Sequence, residues 1–283
     1  MEYVYNIAGL NILIKSPYEI PYMNNFENFY NAEVFKGNYD IIYNFIENNK
    51  QISFKSKPLY SDIEYKIFYE NNTFYREFTY LDKDNAHGCL VDEGENNYTC
   101  YLYRNFSDEK IRSYNIFNSL AIENALIKYD VFILHSSFLN YKNNAILFSG
   151  PSGIGKSTQA DLWEEYKGAE IINGDRSLLR KKDGKWYAYG SPFAGSSKIY
   201  KNKSYPIKAI IMLKKGKSNK ITKLNKIESF KYLIRESTIN YFDINFYNKV
   251  IDLLVDLIDN VSVYLLECLP NKEAVDLLDN YIK

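Results

Sequence analysis

Ala145-Ile-Leu-Phe-Ser-Gly150-Pro-Ser-Gly-Ile-Gly155-Lys156-Ser157 runs from apolar residues straight into a glycine-rich segment. Its residues 150–157 match the Walker A pattern, which is a glycine, four residues, and then glycine, lysine and serine or threonine. The next residues, Thr158-Gln-Ala-Asp-Leu-Trp163, continue in a helical pattern. This order of strand, loop and helix predicts a loop that binds the phosphates of a nucleotide.

The residue types of this loop fit the chemistry of phosphate binding. Glycines at 150, 153 and 155 let successive backbone N–H groups turn inward without Cβ clashes, at a helix N-terminus. Lys156 can reach the β and γ phosphates, and the hydroxyl of Ser157 can bind Mg²⁺. We therefore expect ATP and Mg²⁺, with nucleotide contacts from Gly150, Ser152, Gly153, Ile154, Gly155, Lys156, Ser157 and Thr158. The alternative, a glycine-rich turn that binds no ligand, leaves Lys156 without a partner.

Phosphoryl transfer also needs a carboxylate that holds the metal or accepts the proton of the attacking hydroxyl. Asp175 follows an apolar strand and the turn Asn173-Gly174, so we expect it at a strand end facing the loop. The alternative is a turn aspartate that caps its own backbone. Arg176, the next residue, either stabilises phosphate charge or is solvated.

The chain has two histidines. His135 ends a strand-like run, where a single histidine is either structural or catalytic. His87 lies in the polar turn Asn85-Ala-His-Gly88, and we expect it to be exposed. The sequence has neither a Ser/His/Asp hydrolase elbow nor a His/Cys cluster of the metal-binding kind, so phosphoryl transfer is the simplest reaction for it.

The first 105 or so residues consist of short aromatic-rich segments separated by clusters of Asn, Asp, Lys, Gly or Pro, which is typical of an antiparallel sheet. The predicted strands are 3–14, 51–55, 63–69, 73–80 and 98–103. Residues 113–129 change to a helical period and predict an amphipathic helix that joins two lobes. We expect a β-rich N-terminal lobe over residues 1–110 and a second lobe over residues 111–283.

The second lobe is predicted to be mixed α/β. Strand-like runs precede the glycine-rich loop, and helices alternate with strands after it. The predicted strands are 131–134, 138–141, 145–149, 170–172, 177–180, 186–189, 206–213 and 262–267, with a hairpin turn at Asp183-Gly184. The predicted helices are 157–166, 227–240, 245–259 and 272–282.

The composition excludes several classes of protein. The 35 basic and 35 acidic residues give a formal net charge of zero, which removes the electrostatic argument for binding nucleic acid or a membrane surface. Cys89, Cys100 and Cys268 are odd in number and lack metal-ligand spacing, so we expect free thiols in a reducing cytoplasm. The N-terminus does not resemble a signal peptide, and residues 250–266 are too polar to span a membrane. We expect a cytoplasmic protein.

The order His135, two strands, residues 150–157, helix, strand and Asp175 resembles the catalytic domain of HPr kinase/phosphorylase, a bacterial enzyme that phosphorylates a serine of a phosphocarrier protein. His-Ser-Ser at 135–137 stands where that family has its histidine segment, and Ile172-Asn-Gly-Asp-Arg176 stands where it has an aspartate pair. The resemblance covers about residues 130–200. It implies a mixed-sheet domain related to the nucleotide-binding domain of phosphoenolpyruvate carboxykinase.

The resemblance also implies roles for individual residues. Lys156 would bind phosphate, and Ser157 would bind Mg²⁺. Asp175 would be the general base near the metal, and His135 would support that aspartate. The match does not extend to Gly174, which occupies the place of the first aspartate, so the reverse phosphorolysis of the family is not carried over.

Three flanking segments look like a divergent group of HPr-kinase-like proteins. These are Tyr5-Asn-Ile-Ala-Gly-Leu10, Gly190-Ser-Pro-Phe-Ala-Gly195 and Leu266-Glu-Cys-Leu-Pro-Asn-Lys-Glu-Ala-Val275. Members of that group are encoded beside ribosomally made, modified peptides, including lasso peptides, and some phosphorylate a serine of the precursor peptide. Lys198, at the end of the serine-rich loop 190–198, would meet a phosphate or else belong to an ordinary polar connection.

The resulting hypothesis is an ATP-dependent kinase that phosphorylates a serine of a precursor peptide or small protein. A second hypothesis is a small-molecule kinase, for example one that acts on free serine. A third is a binding module without catalysis, in which ATP controls the docking of a partner.

Overall fold

The computed structural model describes residues 1–20, 24–31, 38–79, 85–103, 119–193, 195 and 197–282. The chain divides into two compact units, Met1–Ala125 and Leu126–Lys283. Each unit contains one mixed sheet, and helices complete the predicted mixed α/β class. The lobe boundary predicted after residue 110 lies outside the described residues.

The first unit is built on one sheet of eight strands. The strands are β1 (Glu2–Ile7), β2 (Leu10–Lys15), β3 (Ile41–Asn48), β4 (Tyr60–Ser61), β5 (Tyr65–Glu70), β6 (Thr73–Phe78), β7 (Gly88–Gly94) and β8 (Asn97–Tyr103), with helix α1 (Asn24–Glu27) between β2 and β3. Their order in the sheet is β1-β2-β3-β8-β7-β6-β5-β4. Strand β3 pairs in parallel with both β2 and β8, so the sheet predicted to be antiparallel is mixed.

The prediction missed β3 because its polar positions interrupt the apolar run. Ile41, Tyr43 and Phe45 alternate as buried residues along it, and the Tyr43 ring stacks on Tyr98 of β8 with centroids 4.9 Å apart. Strand β7 was also missed. In contrast, residues 51–55 form no strand; the backbone N–H of Ile52 donates instead to the hydroxyl of Tyr103.

His87 is fully buried, so the expectation that it is exposed was wrong. Its backbone N–H donates to Phe78 and its carbonyl accepts from Tyr103, which ties the start of β7 to the strands on both sides. Cys89 and Cys100 are buried and Cys268 is half-buried, and all three are free thiols, as predicted.

The predicted helix over residues 113–129 is described only from residue 119. Within that part, Ala121 has a left-handed φ of 44°, which interrupts any continuous helix. Helix α2 (Ile122–Leu126) follows it, and a 3₁₀ turn over Ile127–Tyr129 leads into the second unit. Residues 113–118 lie outside the described part.

The second unit contains the glycine-rich loop. Its strands are β9 (Val131–Tyr141), β10 (Asn144–Ser149), β11 (Glu170–Asn173), β12 (Arg176–Lys182), β13 (Lys185–Tyr189), β14 (Ser204–Lys215), β15 (Lys220–Lys223) and β16 (Val263–Cys268). Its helices are α3 (Lys156–Lys167), α4 (Lys226–Glu236), α5 (Ile244–Asn260) and α6 (Lys272–Tyr281). The two strands predicted over residues 131–134 and 138–141 form the single strand β9. Strand β15 was not predicted. The helix predicted over residues 227–240 ends at Glu236, because the backbone of Ser237 is extended.

The sheet of this unit has the order β10-β9-β12-β13-β14-β16-β15. Strand β10 also pairs in parallel with β14, while β9 pairs antiparallel with β10, β11 and β12. Two apolar cores cover this sheet, and the second includes Trp163 of α3, Phe148 of β10 and Val275 of α6. No described helix is long and apolar enough to cross a membrane.

Candidate active site

The glycine-rich loop joins β10 to α3 in the predicted order. Gly150, Gly153 and Gly155 have φ angles of 142°, 73° and 112°, which residues with a side chain rarely adopt. A Cβ at Gly150 would also lie 3.3 Å from the side chain of Ile154. These glycines let the chain turn sharply into the N-terminus of a 12-residue helix, where free backbone N–H groups favour an anion.

Lys156, the first residue of α3, is folded back on the loop. Its ammonium donates to the carbonyls of Gly150 at 2.8 Å and Pro151 at 3.3 Å, and the residue is only 8% exposed. Burial lowers the pKa of Lys156, while the charges of Glu236 and Asp175 partly raise it. Within the described residues no carboxylate lies within ion-pair distance of this ammonium, so it is available to an anionic ligand.

The remaining predicted nucleotide contacts surround Lys156. Ser152 and Gly153 are exposed at the tip of the loop, Ile154 and Gly155 are half-buried, and Ser157 and Thr158 are exposed on the first turn of α3. The hydroxyls and backbone of this segment are therefore accessible to solvent and to a ligand.

Asn173, for which the sequence predicted no role, holds the turn between β11 and β12 through its side chain. Its side-chain oxygen accepts the backbone N–H groups of Asp175 and Arg176, each at 2.8 Å. Its side-chain nitrogen donates to the carbonyls of Ser191 at 2.9 Å and Phe193 at 3.2 Å. Asn173 thus caps the turn, and the Asp175 carboxylate does not serve as the cap.

Strand pairing brings Asp175 and His135 together. Arg176 is the register partner of His135, and the N–H of Ser136 donates to the carbonyl of Asp175 at 2.9 Å. The Nε2 atom of His135 lies 3.4 Å from Oδ1 of Asp175. The hydroxyl of Ser149, the last residue of β10, holds the carbonyl of His135 at 2.8 Å.

The hydrogen bond from His135 lowers the pKa of Asp175; desolvation opposes this, and the charges of Arg176, His135 and Lys156 add to the lowering. The carboxylate is consequently ionised at neutral pH. It is suited to bind a cation or to accept a hydrogen bond from a hydroxyl group.

Glu236 is a second carboxylate beside His135, and no sequence motif marked it. It ends α4, and its Oε2 atom lies 3.3 Å from Nδ1 of His135. The imidazole of His135 therefore lies between two carboxylates, with Asp175 at one ring nitrogen and Glu236 at the other.

Arg176 and Lys198 were each predicted either to meet a phosphate or to have no special role, and the structure places them differently. The Nε atom of Arg176 lies 3.6 Å from Oδ2 of Asp175, and its guanidinium lies 5.9 Å from the ring centre of Phe193. Lys198 is exposed, has a φ of 52°, and makes no side-chain hydrogen bond or ion pair with the described residues. Arg176 is thus part of the cluster, whereas the structure gives Lys198 no contact with it.

The loop after β13 packs closely on the acidic turn. A Cβ at Gly174 would lie 1.9 Å from the Ser197 hydroxyl and 2.6 Å from its Cβ, and a Cβ at Gly195 would lie 3.1 Å from Asp175. Glycine at position 174 therefore leaves the space that Ser197 fills. The two segments must fit each other for Asp175 to keep its place.

No group of three or more His, Cys, Asp or Glu side chains in the described part of the chain is arranged to hold a metal ion by itself.

No protein-family description and no curated protein matches the chain. Among solved structures, the Hpr(Ser) kinase/phosphatase from Coxiella burnetii is similar to 53% of this chain and 87% of its own, with a TM-score of 0.32 and 13% identity. A similarity this low carries no conclusion about activity, so function must be inferred from the site itself.

Proposed function

We propose that the second unit is an ATP-dependent phosphotransferase. The observation that carries the proposal is the link between a Walker A loop with a buried Lys156 and the carboxylate of Asp175. The strand before the loop ends at Ser149, whose hydroxyl holds the carbonyl of His135, and the His135 ring lies 3.4 Å from Asp175. The loop would hold the phosphates, and the carboxylate would act at the attacking hydroxyl. A pure binding protein needs only the first of these groups.

The groups of the chain divide the work of this reaction, and Asp175 contributes to more than one step. Loop N–H groups and Lys156 bind and orient the phosphates of ATP, the phosphoryl donor. Ser157 and Asp175 would hold Mg²⁺, which would supply positive charge to the phosphate oxygens. Asp175 orients the acceptor hydroxyl and takes its proton, and Arg176 supplies positive charge beside it.

The low pKa of Asp175 agrees with this assignment. A general base works best when its pKa is near the working pH, so a depressed pKa makes a weaker base. Phosphoryl transfer depends mainly on positioning and charge stabilisation, so a weak base is enough for the proton transfer. A carboxylate that is ionised at neutral pH, and that would also hold the metal, is sufficient for this role.

We further propose a serine hydroxyl of a peptide or small protein as the acceptor. This step rests on the resemblance of the segments around His135, residues 150–157 and Asp175 to the HPr-kinase-like group. Free serine is the competing acceptor.

The test is phosphoryl transfer from radiolabelled ATP by the full chain with Mg²⁺, to serine-containing peptides and, separately, to free serine. Lys156→Ala and Asp175→Asn are expected to lower transfer by at least about 10²-fold, since each removes a group that acts in the transition state. Lys185→Ala and Asp161→Asn remove exposed charges of the same sign outside the site and serve as matched controls.

Three results separate the alternatives. Transfer to peptide alone supports the peptide kinase, and transfer to free serine alone supports a small-molecule kinase. Tight ATP binding without transfer to any acceptor, or unchanged transfer in both site variants, would sink the phosphotransferase proposal.

A further inference from the structure

Glu236 holds its carboxylate in an unusual place. It is the last residue of α4, where the helix dipole is negative and an acidic side chain is unfavourable. The carboxylate is only 11% exposed, and burial of a charge is costly unless it is hydrogen-bonded. In the described part of the chain, the His135 ring is the one group within hydrogen-bond range of it.

The backbone around Glu236 is fixed to the strand that carries His135. Ser237 forms a bridge with Leu134, and the N–H of Thr238 donates to the carbonyl of Ile133 at 2.9 Å. The hydroxyl of Ser237 also closes the end of α4 by donating to Leu233 at 2.9 Å. Glu236 therefore meets His135 through a rigid junction between a helix and a strand.

We propose that Glu236 is a positioning residue for phosphoryl transfer: its carboxylate accepts a hydrogen bond from Nδ1 of His135 and turns Nε2 toward Asp175. This proposal rests on the proposed function of the second unit. A carboxylate can only accept hydrogen bonds, so its contact at Nδ1 fixes the orientation of the ring and leaves Nε2 on the side of Asp175. The opposite nitrogen is then aimed at Asp175, which lies 3.4 Å away.

Loss of the Glu236 side chain should affect the position of Asp175 rather than the fold. Without Glu236 the imidazole can rotate or turn over, and the Asp175 carboxylate loses a neighbour that fixes its direction. Misplacement of a reacting group by about 1 Å can cost about 10²-fold in rate. ATP is bound by the loop and Lys156, which Glu236 influences only through its charge, so KM for ATP should change much less than kcat.

The kinetic test compares Glu236→Ala and Glu236→Gln with the wild type and with Glu164→Ala, an exposed glutamate of α3. Glu236→Ala should lower kcat about ten- to hundredfold while KM for ATP stays within about twofold. Glu236→Gln should recover most of kcat, because its amide oxygen can accept the same hydrogen bond. Glu164→Ala should resemble the wild type. An unchanged kcat in Glu236→Ala, or no recovery by the glutamine variant, overturns the positioning role.

A second measurement does not require turnover. The chain has two histidines, so the ring nitrogens of His135 can be observed by ¹⁵N NMR and assigned with His135→Gln. Glu236→Ala should shift the Nδ1 signal of His135 and leave the signals of the buried His87 in place. An unchanged His135 spectrum rejects the proposal even if the enzyme is active. A wild type that transfers no phosphate rejects the proposed function instead, and the ring signals still decide whether Glu236 holds His135.

Discussion

Asn173 fixes Asp175 through the backbone: its side-chain oxygen accepts the N–H groups of Asp175 and Arg176, both at 2.8 Å. The same fully buried side chain donates to the carbonyl of Ser191 at 2.9 Å. One asparagine therefore joins the acidic turn to the loop that covers it. The direction of the Asp175 carboxylate depends on a residue that itself performs no chemistry.

Asn173→Ala should reduce both stability and transfer. Loss of the amide leaves backbone donors and acceptors of the turn unpaired, which costs about 1–3 kcal/mol of unfolding free energy. Urea denaturation measures this cost, and kcat should fall with it. Asn140→Ala is the matched control, since the Asn140 side-chain oxygen has no partner among the described residues. Equal costs in the two variants would contradict the capping role of Asn173.

Local patterns predicted the part of the site that is continuous in sequence. The strand, the glycine-rich loop and the helix lie within Asn144–Ser149, residues 150–155 and Lys156–Lys167, and their order was confirmed. Glycine spacing, an apolar run and a helical period are all local signals. They required no knowledge of how distant segments pack.

Distant contacts were not predictable in the same way. Glu236 lies 101 residues after His135, and the pairing of Ser237 with Leu134 and of Thr238 with Ile133 brings it to the imidazole. The parallel pairing of β3 with β2 and β8 is a similar case, because a parallel pair depends on a long connection and has no turn signal. Tertiary packing, and no local motif, determines these contacts.

Gly174→Ala tests the fit between the acidic turn and its covering loop. The added Cβ would lie 1.9 Å from the Ser197 hydroxyl and 2.6 Å from its Cβ, so rotation of the hydroxyl alone cannot relieve the clash. We expect a loss of about 1–3 kcal/mol in stability, together with reduced transfer. The double variant Gly174→Ala/Ser197→Gly should regain most of both. If the double variant is as impaired as the single one, Ser197 is not the residue that excludes a side chain at position 174.

Glu170 should give a pH-dependent contribution to stability. Its carboxylate accepts from Lys203 at 2.8 Å and Lys201 at 2.9 Å, and these contacts lower its pKa below the ordinary value of 4.5, against desolvation. A depressed folded-state pKa means that the stabilisation is fully present above about pH 4.5 and is lost as the pH falls through the folded-state value. Because these side chains are partly exposed, the gain is about 0.2–1 kcal/mol.

Thermal unfolding of wild type and Glu170→Gln across the acid range measures this contribution. The two curves should differ most near neutral pH and converge on acidification. Glu164→Gln, which changes an exposed glutamate of α3 outside these contacts, is the matched substitution. If the difference in stability between wild type and Glu170→Gln grows as the pH falls, the predicted contribution of Glu170 is contradicted.

The two tryptophans should respond differently to the same substitution. Both are buried, at 0% exposure for Trp163 and 3% for Trp186. The indole N–H of Trp186 donates to Asp256 at 2.9 Å, whereas that of Trp163 has no acceptor among the described residues. Exchange for phenylalanine removes similar bulk from each, so the comparison isolates the hydrogen bond.

Trp186→Phe should therefore cost about 1.5 kcal/mol or more beyond the cost of Trp163→Phe, since it gives up a hydrogen bond to a charged group. Trp163→Phe removes an unpaired buried donor, which offsets part of the lost packing against Tyr141 and Phe148. Trp163→Ala should cost about 3–5 kcal/mol and loosen the helix that carries Lys156, because it leaves a cavity under α3. Chemical denaturation followed by far-UV circular dichroism avoids the loss of the fluorophore. Equal costs for the two phenylalanine variants would mean that the indole N–H of Trp163 has an acceptor in solution, such as a buried water molecule.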